Sequence, residues 1–490
     1  MDDSRNTPLL ASPRSMRETE KGQVQYTTLD ELLDALSHYR HAAFLVILLG
    51  LPWALCAQLF VMSAYLAPDN NALGDSFKTI QDEWQDLPPF GPFQSVEMVS
   101  SATFAGCFVF GTLPNLFADR FGRRPVLLWS LLLVALTGFA SALAPNFYFL
   151  IACRFLQGGM LNSLSSVNYV QCMESIGDRI RFLASCVFGV LWCLGYAVLA
   201  PTALLVGTWR LLIGVNSLAC LLLCAVMFFT LPESPSFCVV QQSRSKLETF
   251  IRKAESFNRS TYSVDVTALL HRDEVKCTSD CESLEKKVDD DADDNSSMRS
   301  ILSFLAHRPA LIMLILVSTY MQMSIMFAYV GISLTSTALS VGDPNWNFVL
   351  SGLVELPAYT VVPKLMELLG NKAVLLVAYG GASTSLIAMM FISPDQSVAY
   401  LAVWLSSKLL VASCYMSTLV ATSQLFPTRC RSFAMGIGLT VSSLGSMLGP
   451  HVGILTAISA NLPFLVFGVG LGISFLLIAI FIPRSSTFST

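Results

Sequence analysis

Charged residues are scarce in this chain. Only 13% of its 490 residues are charged and 53% are hydrophobic, whereas soluble proteins carry roughly 25% charged residues. So little charge cannot cover the surface of a water-soluble protein of this length, and the composition predicts a protein embedded in a membrane. The formal net charge is −4 and there is no basic arm, so a nucleic-acid partner is not expected.

Several signatures of chemistry are also missing. No Walker-type Gly-Lys-Ser/Thr loop is present, so direct use of ATP is not expected. None of the thirteen cysteines falls in a predicted outer loop, so disulfides are not expected. Cys277, Cys281 and His271 could bind zinc, but a structural site needs a fourth ligand, so no metal is expected.

The apolar runs also lack a catalytic arrangement. They contain no pair of His, Asp or Cys at catalytic or metal-binding spacing, and His451 stands alone after Pro450. We therefore do not expect an enzyme. No cofactor is expected either, and a coupling ion such as sodium or a proton is left open.

What the sequence has in abundance is long apolar runs. About twelve reach the roughly 20 residues that cross a bilayer core. They predict an all-α integral membrane protein with twelve transmembrane helices in two bundles of six. The predicted spans lie near 42–67, 94–117, 126–144, 147–172, 182–206, 210–230, 309–335, 347–366, 373–393, 397–423, 433–456 and 462–482.

Lys and Arg in the short loops predict the orientation, because cytosolic loops carry more of them. One set of loops offers only Lys78 and Arg210. The opposite set is rich in arginine, so both termini and the long middle loop are predicted to be cytosolic. Its arginines are Arg120, Arg123, Arg124, Arg179, Arg181, Arg429 and Arg431. The polar first 40 residues lack the apolar core of a signal peptide, so the first span is expected to direct insertion itself.

A hydrophilic connector separates the sixth span from the seventh and suggests the domain organisation. Near the N-terminus, Thr28 and Glu31 have the spacing of a capping box and predict a helix from Leu29 to Tyr39. The predicted parts are a cytosolic tail with this short amphipathic helix (1–40), a first bundle (41–235), a cytosolic connector (236–308), a second bundle (309–484) and a cytosolic tail (485–490).

A short charged hairpin occurs twice. After the second span the chain reads Asp-Arg-Phe-Gly-Arg-Arg-Pro from Asp119, and after the eighth it reads Glu-Leu-Leu-Gly-Asn-Lys-Ala from Glu367. Their glycines, Gly122 and Gly370, are 248 positions apart by subtraction of their numbers. Further matches keep nearly the same offset: Glu174 with Gln424, Arg181 with Arg431, and Gly195 with Gly445. Such a duplication is typical of transporters whose halves rock about a central site.

With these motifs the chain resembles the major facilitator superfamily over essentially its whole length. Within it, the chain is most similar to the organic cation, anion and carnitine transporter family. The local signatures are Glu83, Trp84, Asp86 and Leu87; Trp209 and Arg210; Leu231 to Pro235; Tyr329 and Gly331; Glu355 to Tyr359; and Pro427, Thr428 and Arg431.

The departures from the family pattern indicate a divergent member. The outer loop is much shorter than the cysteine-rich, glycosylated loop of such relatives. Single residues also differ, namely Asn115 for a glycine, Ser236 for an arginine, Gln424 for a glutamate, and Asn371 with Lys372 in the second hairpin.

The first hairpin is predicted to act as a gate. Acidic and guanidinium groups there can join neighbouring helix ends by charge-assisted hydrogen bonds, and breaking these bonds would open the end of the bundle. The simpler interpretation is that the arginines only anchor the topology. The predicted gating residues are Asp119, Arg120, Gly122, Arg123, Arg124, Glu174, Arg181, Glu233 and Arg431.

Charges inside apolar spans are costly and are therefore candidates for solute binding. They are Arg154, Glu355 and Lys408, and the resemblance places the last two at a central cavity. The alternative is that they pair for structural reasons alone.

Further candidates for solute binding are uncharged. The resemblance adds the aromatic residues Tyr169, Trp192 and Tyr329, which can stack or make cation–π contacts. Gln322 lies two turns before Tyr329 and offers both a donor and an acceptor. Ser443 is neutral where the family often carries a charge, which leaves cations, anions, zwitterions and neutral solutes open.

The sequence therefore predicts a transporter of small organic solutes, chiefly organic ions or zwitterions, that works by alternating access. One alternative is a sugar-porter-like uniporter or symporter, because sugar porters share the Pro-Glu-Ser-Pro element. Another is a solute sensor on the same fold. The expected partners are a small organic solute and the lipid bilayer, with the oligomeric state open. The resemblance favours the plasma membrane, with intracellular vesicles as the alternative.

Overall fold

The computed structural model describes residues 17–18, 24–26, 28–37, 40–66, 77–84, 86–88, 94–260, 263–264, 266–267, 269–270, 308–337, 339, 342–392, 396–426, 428–456, 458–459 and 461–482. This part of the chain is almost entirely helical. Its helices are α1 (Leu29–Ser37), α2 (Arg40–Val61), α3 (Ser63–Leu66), α4 (Ile80–Glu83), α5 (Glu97–Phe110), α6 (Leu113–Phe121), α7 (Arg123–Ala142), α8 (Phe147–Ser175), α9 (Asp178–Val206), α10 (Trp209–Thr230), α11 (Pro235–Val240), α12 (Arg244–Asn258), α13 (Pro309–Leu334), α14 (Pro344–Leu353), α15 (Leu356–Leu369), α16 (Asn371–Ala388), α17 (Ser397–Leu425), α18 (Thr428–Leu448), α19 (Gly453–Thr456) and α20 (Leu462–Phe481).

The described helices include nine long and apolar enough to cross a membrane, counting α2 with α3 and α14 with α15 as single spans. The pair α5 and α6, bent by 46°, makes a tenth. The helices α8 and α18 contain 29 and 21 residues and also have the length of a span. Each predicted span thus lies on a helix or a broken helix, which confirms an all-α membrane protein. We call α2–α10 the first half and α13–α20 the second half.

The chain divides into two compact units. The first comprises Met1–Leu45, Gln171–Phe182 and Pro232–Asp290. Within it, α1 begins as predicted, because the Thr28 hydroxyl accepts the Glu31 amide at 3.4 Å. The strands β1 (Arg17–Glu18), β2 (Val24–Tyr26) and β3 (Ser263–Val264) form a small sheet in that order, antiparallel between β1 and β2 and parallel between β2 and β3.

The core of the first unit is built by amphipathic helices. Leu32, Leu33 and Leu36 form the buried stripe of α1, as its spacing predicts. The helix α12 buries Leu247, Phe250, Ile251 and Ala254. At the start of α2, the His41 ring lies edge-on to Phe250 with 5.6 Å between centroids, and the His41 amide donates to Asn258 Oδ1 at 3.0 Å.

The second unit comprises Val46–Val170, Leu183–Leu231 and Asp291–Thr490 and holds most of the membrane helices. Its backbone repeats the duplication seen in the sequence. Gly122 has φ +107° and ψ 154°, and Gly370 has φ +83° and ψ 152°. Side chains other than glycine rarely adopt this conformation. The second hairpin therefore keeps its turn although Leu368 and Asn371 replace the charged Arg120 and Arg123.

A second pair of repeated glycines allows close helix packing. A Cβ added to Gly195 of α9 would lie 2.2 Å from the Ala54 carbonyl oxygen of α2, and one added to Gly445 of α18 would lie 2.2 Å from the Met323 carbonyl oxygen of α13. Each half thus packs its fifth span against the backbone of its first.

Three signature residues, Glu83, Trp209 and Arg210, connect helices within the first half, and we call them the clamp. The Arg210 guanidinium pairs with Glu83 at 2.6 Å and donates to the carbonyl oxygens of Ala142 and Ala144 at 2.8 and 2.9 Å. Trp209 Nε1 donates to Glu83 at 2.8 Å. The hydrogen bond from Arg210 holds the pKa of the Glu83 carboxyl below its ordinary value. One arginine thereby joins α4, the end of α7 and the start of α10.

We predict that Gly370→Ala lowers the thermal unfolding midpoint, with a loss of about 1–3 kcal/mol of stability from backbone strain. No atom lies within 4 Å of the added methyl group, so the effect comes from the conformation alone. Gly214→Ala in α10 also meets no atom within 4 Å, but it lies in a helix and should be neutral or stabilising. Equal midpoints for the two variants in detergent would contradict this assignment.

Candidate functional site

A buried ion pair lies in the second half. Lys408 Nζ is 3.1 Å from Glu355 Oε1, and both side chains are completely buried. Lys408 belongs to the long helix α17, and Glu355 stands at the break between α14 and α15. The break follows from the sequence, because Pro357 has no amide hydrogen and takes a first-turn position of α15. Two helices thus present opposite charges to each other.

Aromatic hydroxyl groups complete the environment of the carboxylate. Tyr329 of α13 and Tyr359 of α15 both donate to Glu355 Oε2, at 3.0 and 3.3 Å. Trp192 Nε1 donates to the Tyr329 hydroxyl at 3.1 Å. Because Trp192 lies on α9, this chain of hydrogen bonds connects the first half to the carboxylate in the second.

The Lys408 ammonium is held in a similar way. It donates to the Ser333 hydroxyl and lies 3.9 Å from the centroid of the Tyr329 ring and 5.4 Å from that of Tyr196. The Tyr196 hydroxyl is hydrogen-bonded to the Ser351 hydroxyl at 3.1 Å. Cation–π contacts are strongest where water is excluded, so this cage can hold an ammonium group away from solvent.

This arrangement balances two charges at high cost. Removing both ions from water costs several kcal/mol each, which is offset only by close pairing and further hydrogen bonds. A solute with an ammonium group could replace Lys408 at the carboxylate, and one with a carboxylate could replace Glu355 at the ammonium. Each member of the ion pair can therefore exchange its partner in the protein for an oppositely charged group of the solute.

Tyr169 lies one aromatic ring away from this cluster. Its ring centroid is 6.0 Å from that of Trp53, which is 6.1 Å from that of Trp192. The Tyr169 hydroxyl is hydrogen-bonded to Ser185 at 2.9 Å. Of the predicted binding residues, Trp192, Tyr329, Glu355 and Lys408 thus lie together, and Tyr169 adjoins them.

Arg154 lies elsewhere, buried within the first half. It donates to Gln157 Oε1 at 3.1 Å and approaches Met62 Sδ at 3.4 Å. Among the residues that the structure describes, no carboxylate pairs with it and its Nε has no hydrogen-bond partner.

Gln322 and Ser443 also lie outside the ion-pair cluster. Gln322 lines a small cavity with Tyr415, Thr418 and Ser442. The Ser443 hydroxyl bonds to the Leu439 carbonyl of its own helix at 3.4 Å. The roles of these two residues and of Arg154 in solute binding stay predictions.

The sequence analysis did not select Tyr196, Ser333 or Tyr359 as site residues. Each lies four positions after a predicted residue, namely Trp192, Tyr329 and Glu355. Residues four apart share one helix face. The four-residue spacing on one helix face is the signal that points to all three.

Both hairpins cap the last helix of their own half. Arg124 donates to the Phe228 carbonyl oxygen near the end of α10 at 2.7 Å. Lys372 donates to the carbonyl oxygens of Ala479 and Ile482 at the end of α20, at 2.9 and 2.6 Å. Arg124 and Lys372 occupy equivalent positions, and a cation stabilises the negative end of a helix. Lys372 thus keeps a contact that its altered motif appeared to have lost.

The two hairpins differ in their other contacts. In the first, Arg123 pairs with Asp119 at 3.1 Å, and the Arg120 guanidinium lies 5.7 Å from the centroid of the Phe121 ring. In the second, Asn371 Nδ2 donates to Gln424 Oε1 at 2.7 Å. By the repeat offset, Asn371 corresponds to Arg123 and Gln424 corresponds to Glu174. The second half therefore has a hydrogen bond between two neutral side chains at this position.

Three further predicted gating residues, Glu174, Arg181 and Glu233, belong to the first unit. The Ser234 hydroxyl donates to Glu174 Oε2 and accepts the Phe237 amide, which caps α11. The Ser234 amide donates to Glu233 Oε1 at 3.1 Å. The Pro-Glu-Ser-Pro signature is thus a helix cap joined to the end of α8.

Arg181 completes the gating residues whose contacts are described. It pairs with Asp178 and donates to the Met173 carbonyl oxygen at 3.2 Å. The side chain of Arg431 lies outside the described residues, as do Cys277, Cys281 and His271.

We predict strong coupling between Glu355 and Lys408 in a double-mutant cycle of unfolding. Glu355→Gln or Lys408→Met alone leaves a buried charge without its counter-ion and should cost about 3–5 kcal/mol, whereas the double variant should lose much less than the sum. The matched control is the exposed pair Arg244 and Glu248, whose cycle should couple by less than about 1 kcal/mol. Additive losses at the buried pair would show that the two charges do not balance each other.

Comparison with known proteins agrees with the fold. The family model described as Major Facilitator Superfamily matches residues 42–450 and 311–489. A putative transporter of Caenorhabditis elegans is 26% identical over 89% of this chain and 84% of its own length. An organic cation transporter protein of Drosophila melanogaster is 26% identical over 74% of this chain and 63% of its own length.

Two further similarities bear on function and fold. A beta-alanine transporter of Drosophila melanogaster is 29% identical over 71% of this chain and 54% of its own length. The chain thus spans less than two thirds of both Drosophila relatives. The inward open conformation of the xylose transporter XylE from E. coli has a TM-score of 0.67 at 17% identity, covering 91% of this chain and 97% of that one. At this identity the likeness shows the fold alone.

Proposed function

The chain belongs to the Major Facilitator Superfamily, and we propose that it carries small organic ions or zwitterions across a membrane by alternating access of its two halves. It is a multi-pass membrane protein. The similar proteins named as organic cation and beta-alanine transporters support a small organic solute. The plasma membrane is the proposed location.

The buried pair of Glu355 and Lys408 carries the proposal. A zwitterion presents an ammonium group and a carboxylate, and the site presents one counter-charge for each. The two charges of the pair cancel, so the pair is neutral overall. An aromatic wall of Trp192 and Tyr329 supports recognition of a cationic group.

The link to the first half gives solute binding a mechanical consequence. Trp192 of α9 bonds to Tyr329, which in turn bonds to Glu355. A solute that draws Glu355 or Lys408 away from its partner would also disturb the bond between the halves. A solute can drive the alternation only if it binds with different affinities to two arrangements of the halves.

The hairpins are proposed as an uneven gate. Both hairpins carry a local ion pair, Asp119 with Arg123 in the first and Lys364 with Glu367 in the second, but at the position of Arg123 the second has Asn371, which makes a neutral bond to Gln424. Charge-assisted hydrogen bonds are roughly twice as strong as neutral ones. The first hairpin should therefore dominate the barrier to opening this end.

An uptake experiment tests the transport proposal. Proteoliposomes should accumulate at least one labelled solute from a panel of beta-alanine, carnitine, tetraethylammonium and xylose. Glu355→Gln and Lys408→Met should each reduce that uptake by about tenfold or more, equivalent to about 1.4 kcal/mol. Glu248→Gln, on the exposed surface of α12, serves as the control and should retain uptake.

Three outcomes would contradict the proposal in different ways. Full uptake in both site variants would show that the ion pair is not part of the solute site. Uptake of xylose alone would favour the sugar-porter alternative. Binding without uptake or counterflow of any solute would favour a sensor.

Asp119→Asn tests the gate. Because Asp119 acts on an opening step, we predict that the maximal uptake rate falls about tenfold, while the half-saturating concentration changes less than about twofold. Asp82→Asn, in the capping box of α4, is a matched control and should change neither value. A loss of affinity with an unchanged maximal rate in Asp119→Asn would contradict the gating role.

A further inference from the structure

A histidine and a carboxylate join the two halves at the end opposite the hairpins. His451 Nδ1 is 3.0 Å from Glu97 Oε2, and His451 Nε2 is 2.8 Å from the Ser101 hydroxyl. The Ser101 hydroxyl also donates to the Met447 carbonyl oxygen at 2.9 Å. Glu97 and Ser101 lie on α5 in the first half, and His451 lies in the turn after α18 in the second half.

These hydrogen bonds require one proton more than a neutral histidine and an ionised glutamate carry. Ser101 has a single hydroxyl hydrogen, which goes to Met447, so His451 Nε2 must donate to Ser101. A neutral imidazole with hydrogen on Nε2 has none on Nδ1. The contact with Glu97 therefore needs either an imidazolium facing a carboxylate or a neutral imidazole facing a carboxylic acid.

The Glu97 carboxylate borders space for water. It lines a cavity of about 40 Å³, large enough for a water molecule. Ser63, Ser100 and Thr335 also line it, and Glu97 is the one ionisable residue among the described residues of the lining.

Other titratable groups on the surrounding elements have contacts elsewhere, among them Arg154 of α8, which donates to Gln157 Oε1. Tyr65 of α3 donates to Asn345. Tyr320 and Tyr329 of α13 donate to the Gly470 carbonyl and to Glu355. Cys107 of α5 donates to the Gly158 carbonyl. Arg429, Cys430 and Arg431 stand at the opposite end of α18.

We propose that Glu97 and His451 form a proton-binding latch that holds this end of the two halves closed. Closing takes up one proton, which the pair shares, and opening separates the side chains and returns that proton to water. The latch makes the proton the coupling ion of the cycle, and in this respect it rests on the proposed transport function.

Distance measurements on the full-length protein test the latch without any solute. Spin labels are attached through a genetically encoded keto amino acid at Leu143 in the first half and at Ile458 in the second, both highly exposed. The thirteen native cysteines stay in place. Double electron–electron resonance at pH 5.5 to 8.0 then measures the distances between the two labels. The readout is the ratio of molecules with long label distances (open) to molecules with short ones (closed). We expect this ratio to rise with pH by up to about tenfold per unit, the limit for one proton.

Variants identify the proton site. Glu97→Gln and His451→Gln keep polar side chains but cannot share the proton, so each should abolish the pH dependence. His41→Gln, in the first unit, and Glu83→Gln, in the clamp within the first half, make the same chemical changes elsewhere and should preserve it. Thermal unfolding of each variant verifies that it is folded.

The latch is overturned if the wild-type ratio does not vary with pH, or if both Glu97→Gln and His451→Gln retain the wild-type dependence. Loss of the dependence in only one of the two would assign the proton to that residue and keep the latch. Because the measurement uses no solute, a failed latch is distinguished from a failed transporter, which only the uptake panel reports.

Discussion

The buried attraction between Glu355 and Lys408 is the constraint on which the central site depends. Neither charge would be tolerated alone in a water-free position between membrane helices. Tyr329 and Tyr359 donate to Glu355, Lys408 donates to Ser333, and Trp192 extends the network to the other half. A solute that can replace one partner of this pair therefore acts on the contact between the halves as well.

The two ends of the bundle are built differently. The hairpin end repeats the same design in each half, with a glycine turn and a basic residue that caps the last helix, Arg124 or Lys372. The opposite end has no such repetition, because Glu97 and Ser101 of one half meet His451 of the other. Duplication preserves what each half needs for its own folding.

Much of the fold could be predicted because its signals are local. Apolar length predicts the spans, and the offset between Gly122 and Gly370 indicates the repeat. Burial cost also selected Glu355 and Lys408, which the structure brings together. The same argument selected Arg154, which lies apart from them in the first half, because the cost of a buried charge does not specify its partner.

Other parts of the site could not be predicted because they depend on tertiary contacts. Glu97 and His451 are 354 positions apart in the chain, and in the sequence His451 stands alone after Pro450. Ser443 satisfies its hydroxyl on its own helix, as serine in a helix commonly does, so its position in the sequence says little about solute. In the sequence, Lys372 appeared to belong to a weakened motif. The helix cap that it retains is evident only from the two backbone carbonyl oxygens to which it donates.

The most direct test of the central claim is an experimental structure of the protein with a solute that it transports. We predict solute density between Glu355 and Lys408, with at least one of these side chains bound to the solute and the distance between their charged atoms longer than 3.1 Å. Solute bound elsewhere, for example in the small cavity beside Gln322 and Ser442, with the ion pair intact, would contradict the claim.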